Sequence, residues 1–145
     1  MAAMAEFLVR GYNVAIPEVD VGDAIFVVKD SDGEYSRVQV KTALANKTRE
    51  GYSARYSIKF VQLEIQSVPE TWYVFANRLC EKWQSFVIIS RQELYDFHDL
   101  YSIGSLSKRG LLSLYFSYSD NSVICSGHDH SPYLDNWTDW SPITH

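Results

Sequence analysis

Gln39-Val40-Lys41 sets an amide and an ammonium two residues apart, and the acidic run Asp20-Val21-Gly22-Asp23 stands one apolar segment upstream. Side chains alternate along an extended chain, so Gln39 and Lys41 share a face with Arg37, while Val38, Val40 and Thr42 take the other. An acidic loop by itself is solvated surface. Its place beside a lysine-bearing strand is what makes it a candidate metal site.

Two extended segments must bring these groups together. Ala24 to Val28 and Glu34 to Leu44 are rich in Val, Ile, Phe and Tyr, and Asp32-Gly33 between them is a hairpin signal, because both residues tolerate the positive φ of primed turns. A two-residue loop sets position 24 opposite Lys41, and a four-residue loop sets it opposite Gln39. A three-residue loop, Ser31 to Gly33, sets Asp23 opposite Lys41 and turns Ala24 away. The turn preference favours the registers that keep position 24 on the site face.

The arrangement resembles the PD-(D/E)XK nuclease superfamily, in which an acid opening one strand and an acid-x-lysine on the next hold a divalent metal beside a phosphodiester. Gly11-Tyr12-Asn13-Val14 with Pro17, Asp20-x-Gly22 and Gln39-Val40-Lys41-Thr42 look like the branch of group I intron homing endonucleases that uses Gln in place of the acid. The resemblance runs over residues 5 to 64. It implies a metal-dependent DNA endonuclease with Mg²⁺, since hard carboxylate and amide oxygens suit that ion. It also implies Asp20, Asp23 and Gln39 as metal-side donors, Lys41 orienting water and offsetting phosphate charge, and Arg37, Lys47, Arg49 and Arg55 tracking DNA. A homo-oligomer is expected because cutting both strands needs two sites. The family pattern expects an acid where this chain has Ala24, and a helical Glu or Gln that by spacing falls before Met1. On that pattern the catalytic position 24 is disarmed, and the alternative is a noncatalytic interaction or DNA-binding protein that keeps the nuclease fold.

The chain has 145 residues, ten Tyr, four Trp and a net charge of −5, composition expected of one domain, 1–145, with a sizeable core. Residues 37–59 run against the overall charge. They hold Arg37, Lys41, Lys47, Arg49, Arg55 and Lys59 against Glu50 alone, so this segment carries +5 and the remainder −10. Such a patch directs a polyanion to one face, although a run of charges is more often plain solvated surface. Cys80 and Cys125 have no metal or redox spacing, no apolar run approaches a membrane span, and the N-terminus has no signal-peptide pattern. A soluble, cytoplasmic protein is expected.

The fold expectation is α/β: a restriction-endonuclease-like mixed central sheet with flanking helices. Residues 2–10 suit a helix and Tyr12–Ile16 a short strand. Ala45–Ser53 reads as a loop, and Ala54–Gln66 as a third strand beside the hairpin. Strands follow at 71–79 and 83–90, a helix at 91–101, a loop at 102–110, and a hairpin at 111–126 closing on Asp120-Asn121. Ser131-Pro132 starts a short terminal helix. Glu6 stands too near the end of its helix for the family's helical ligand. His128 and His130 share a face, but no third or fourth zinc ligand accompanies them. No nucleophile elbow or glycine-rich phosphate loop occurs.

Overall fold

The computed structural model describes residues 2–10, 12–15, 25–29, 35–66 and 70–137. In chain order these form α1 (Ala2–Val9), β1 (Asn13–Ala15), β2 (Ile25–Lys29), β3 (Tyr35–Leu44), β4 (Asn46–Lys47), β5 (Tyr52–Lys59) and α2 (Phe60–Glu64). Then come β6 (Thr71–Leu79), β7 (Lys82–Trp83), β8 (Val87–Ser90), α3 (Arg91–Tyr101), β9 (Ser105–Leu106), β10 (Leu111–Ser119), β11 (Ser122–Cys125), β12 (His128–Asp129) and a 3-10 turn at Ser131–Tyr133.

The class is mixed α/β, mostly sheet, but one expectation is corrected: the described residues form two six-stranded sheets instead of one central sheet. The first runs β1-β2-β3-β6-β7 with β8 also on β6, and is mixed because β3 and β6 are parallel while the other pairs are antiparallel. The second is antiparallel, β12-β11-β10-β5-β4, with β9 on β10.

Residues 54–66 explain the difference. Alternation holds only to Lys59, after which Phe60–Glu64 turn into α2. The strand does not join the β2–β3 hairpin. Its inward residues Ala54, Tyr56 and Ile58 meet Leu112, Leu114 and Phe116 of β10, and all six are buried. Burying that apolar face outweighs the preference for a sequential neighbour. The expected loops at 45–53 and 102–110 also contain short strands, β4 and β9, recruited to β5 and β10.

The larger core lies where the two sheets face each other, with Tyr56, Phe75 and Phe116 at mutual ring distances of 4.9 to 5.7 Å. A smaller core on the far side of the first sheet packs Val38, Val40, Val74, Ala76 and Ile88 under Ala3 and Phe7 of α1. Trp137 closes it, 5.0 Å from Phe7 and 5.5 Å from Phe86. This tryptophan is a core lid. Between β4 and β5, Gly51 is required by space: a Cβ there would stand 2.0 Å from the Tyr118 carbonyl oxygen.

α3 starts as its sequence dictates. Ser90 Oγ accepts from the Glu93 amide at 3.1 Å and donates to the Glu93 carboxylate at 2.9 Å, a reciprocal cap. Asp120 and Asn121 have φ of 30° and 64°, the primed geometry their hairpin needs. Of the expected terminal helix, the 3-10 turn with Pro132 is present, and residues 138–145 lie outside the described residues.

Candidate functional site

The β2–β3 ladder pairs Ile25 with Gln39, Phe26 with Val38 and Val27 with Arg37. The paired numbers sum to 64, as in the three-residue-loop register, rather than the sums of the two- or four-residue loops. Asp20, Asp23 and Ala24 themselves, with Gly11, Pro17 and the Asp32-Gly33 turn, lie outside the described residues.

β3 divides its side chains as alternation demands. Val38 and Val40 are buried toward α1, and Gln39 and Lys41 occupy the opposite face, beside Tyr73 and Phe75 of β6 in the parallel ladder. Gln39 is 5% exposed and its row across β6 and β8 holds the buried Tyr73 and Ile89. Burying an amide among apolar groups is costly unless it is hydrogen-bonded. Gln39 Nε2 donates to Gln62 Oε1 of α2 at 3.4 Å, which turns the Gln39 carbonyl oxygen away from Gln62. Lys41 is half-buried two residues further on, and Arg37 is exposed.

A second polar group adjoins this face. Arg91, 3% exposed at the start of α3, donates to both carboxylate oxygens of Glu70 at 2.8 and 3.2 Å and also to the Leu63 carbonyl. Glu70 Oε1 further accepts the Thr71 amide at 3.0 Å, where Thr71 pairs with Arg37. The fork ties the end of α2 to the strand beside β3. Sequence reading misses Gln62, Glu70 and Arg91, because it takes residues 54–66 as one strand and gives residues 67–70 no role. An arginine opening an otherwise acidic helix, with Glu70 just before a strand, was the available signal.

The expected DNA-tracking cations are spread out. Arg37 sits near the start of β3, whereas Lys47 and Arg49 follow its end, roughly 23 Å away at 3.3 Å per residue. Arg55 points from the outer face of the second sheet, where it donates to Ser113 Oγ at 3.3 Å directly beside the paired Tyr115. Lys59 shares that face. Glu6 pairs with Arg10 at 3.4 Å on α1, which packs against the other side of the first sheet from Gln39.

The described donors alone do not make a Mg²⁺ site. Gln39 offers one neutral oxygen beside a cation, and among the described residues no three His, Cys, Asp or Glu side chains converge. His128 and His130 do not form a metal pair: His130 is fully buried, its Nδ1 is 3.0 Å from the His128 carbonyl oxygen, and burial holds its pKa below the usual histidine value. Cys80 is exposed in the β6–β7 turn, and burial pushes the Cys125 thiol up. No helix among the described residues is long and apolar enough to cross a membrane.

The fold and site thus define a mixed α/β chain with a buried glutamine and a neighbouring lysine on the inner face of its mixed sheet. No family model, curated protein or solved structure matches it.

Proposed function

We propose that this chain is a metal-dependent DNA endonuclease of the PD-(D/E)XK type, with Asp23 in the role that the sequence pattern gives to position 24. The carrying observation is the pairing of Ile25 with Gln39. In this proposal the same register continues two residues back, so that Asp23 accompanies Lys41 and the missing carboxylate at position 24 does not argue for inactivation. Mg²⁺, when bound, supplies Lewis-acid charge next to the scissile phosphate. In this proposal Asp23 and the Gln39 carbonyl oxygen hold the cation, Gln62 fixes the Gln39 amide, and Lys41 offsets negative charge building on the phosphate. Arg37 stands nearest to contact the DNA backbone. A homodimer presents one such site to each strand.

One observation favours a noncatalytic DNA-binding or interaction protein instead. Gln39 is almost wholly buried and already bonded to Gln62, as a purely structural polar pair would be. The two readings separate in one assay, linearisation of supercoiled plasmid by the full chain with Mg²⁺. The nuclease reading expects cutting by the natural sequence, its loss in Asp23→Asn and its retention in Ala24→Asp. Cutting only after Ala24→Asp overturns the Asp23 assignment, and no cutting by any of the three favours the noncatalytic protein.

A further inference from the structure

Away from β3, α3 presents Glu93, Asp96, Phe97, Leu100 and Tyr101 at the three- and four-residue spacing that puts side chains on one helix face. Together with Tyr133 of the 3-10 turn they line an open cavity of about 170 Å³. That is below the usual range for a drug-sized ligand. It is a recess for a small head group.

Its walls are aromatic. The Phe97 and Tyr133 rings stand 5.8 Å apart at 88°, making a corner, and Tyr101 lies 6.1 Å from Phe97 at 47°. The walls are backed from behind: His130 lies 4.3 Å from the Phe97 ring and His128 4.8 Å from that of Tyr101. The open corner is therefore held in shape before anything enters it.

Its rim is anionic. Glu93 accepts from Ser90 and engages the Tyr133 hydroxyl, and Asp96 accepts from Gln92 Nε2 at 2.8 Å, so both carboxylates are held in place. Among the described residues no cation pairs with either. Arg91, the one basic residue of α3 apart from histidine, is buried and engaged with Glu70. Aromatic faces attract cations through the ring quadrupole, and carboxylates at the rim add to that attraction. An anion would meet repulsion here, and a neutral apolar group would leave the carboxylates unused.

We propose that this recess binds a methylated ammonium group, whose diffuse charge and apolar methyl surface match both the rings and the acids. The proposal does not depend on the nuclease reading. The test is an NMR titration of the full chain with tetramethylammonium chloride at fixed ionic strength. The expected result is saturable shifts confined to residues 93–101 and 131–134, with Kd on the order of 1 mM. Choline is then compared with 3,3-dimethylbutan-1-ol, its uncharged isostere, which should bind about tenfold more weakly. Tyr101→Ala and Asp96→Asn, both exposed positions, should each weaken choline about fivefold with an unchanged unfolding midpoint. A trimethyllysine peptide and choline form the two source arms, and the tighter binder identifies which carries the head group. Equal binding of the isostere, or no saturable shift at 93–101, overturns the proposal without bearing on DNA cleavage.

Discussion

Ile25 stands directly across the β2–β3 ladder from Gln39. Because strand side chains alternate with period two, this pairing fixes the register of the described ladder, and the proposal of Asp23 as the partner of Lys41 is built on it. Under the proposed nuclease reading, Lys41→Met should lower the Mg²⁺-dependent cleavage rate about 100-fold, the scale seen when one charge-stabilising donor is removed. Binding to DNA without Mg²⁺ should change little. Gel-shift and single-turnover cleavage measurements on the same preparation separate the two effects.

Gly51→Ala should destabilise the fold by about 2 kcal/mol, since the added methyl meets backbone that has no room to move. A lower urea midpoint with an unchanged slope is the expected observation. Gly110, whose Cβ would meet nothing, also has φ of 78°, so Gly110→Ala probes backbone strain alone.

Glu70→Ala should cost about 3 kcal/mol, because it leaves the Arg91 guanidinium buried without its counter-charge. The double variant Glu70→Ala, Arg91→Met should be more stable than Glu70→Ala alone. A double-mutant cycle read by urea denaturation measures that coupling.

His130 provides a pH test. Burial favours its neutral form, opposed by the hydrogen bond to the His128 carbonyl and by the Asp129 charge and reinforced by the His128 ring, so its folded pKa lies below 6.5. As pH falls below about 6.5 the unfolded chain takes up a proton that the folded chain does not. Stability therefore falls with pH until the folded value is reached, by at most about 1.4 kcal/mol per pH unit. His130→Leu should flatten that part of the profile. Comparing urea midpoints of the two proteins at pH 7 and pH 5 checks the sign: the advantage of the natural protein should shrink at the lower pH.

The elements legible in the sequence are those set by near neighbours. α3 carries its own cap in Ser90 and Glu93, and the β10–β11 hairpin carries its turn in Asp120 and Asn121. The strand at Thr71–Leu79 is apolar enough to declare itself. What was not legible depends on distant partners. Nothing within residues 52–59 says that β5 will choose β10, fifty residues onward, over the adjacent hairpin. The face of β3 that carries Gln39 and Lys41 was readable from alternation, but its partner face on β2 was not, because one residue of loop length reverses it. Gln62 escaped notice for a similar reason: the change from period two to a helical turn at Phe60 is too short to show as a pattern.

The passage of the chain between sheets has a consequence in time. β3 and β6 are parallel, and residues 45–70 that join them build β4, β5 and α2 on the other sheet. Beyond the brief contact with β4, β5 gains its long partner only when β10 is available. Pairings of such sequence separation fold on the millisecond to second scale, since loop closure precedes the contacts that reward it. On the ribosome, β5 emerges well before β10 and carries Ala54, Tyr56 and Ile58 with an unsatisfied strand edge. A chain ending after α3 should therefore aggregate through that edge, and the last third of the protein acts as the cover for a strand made in the middle.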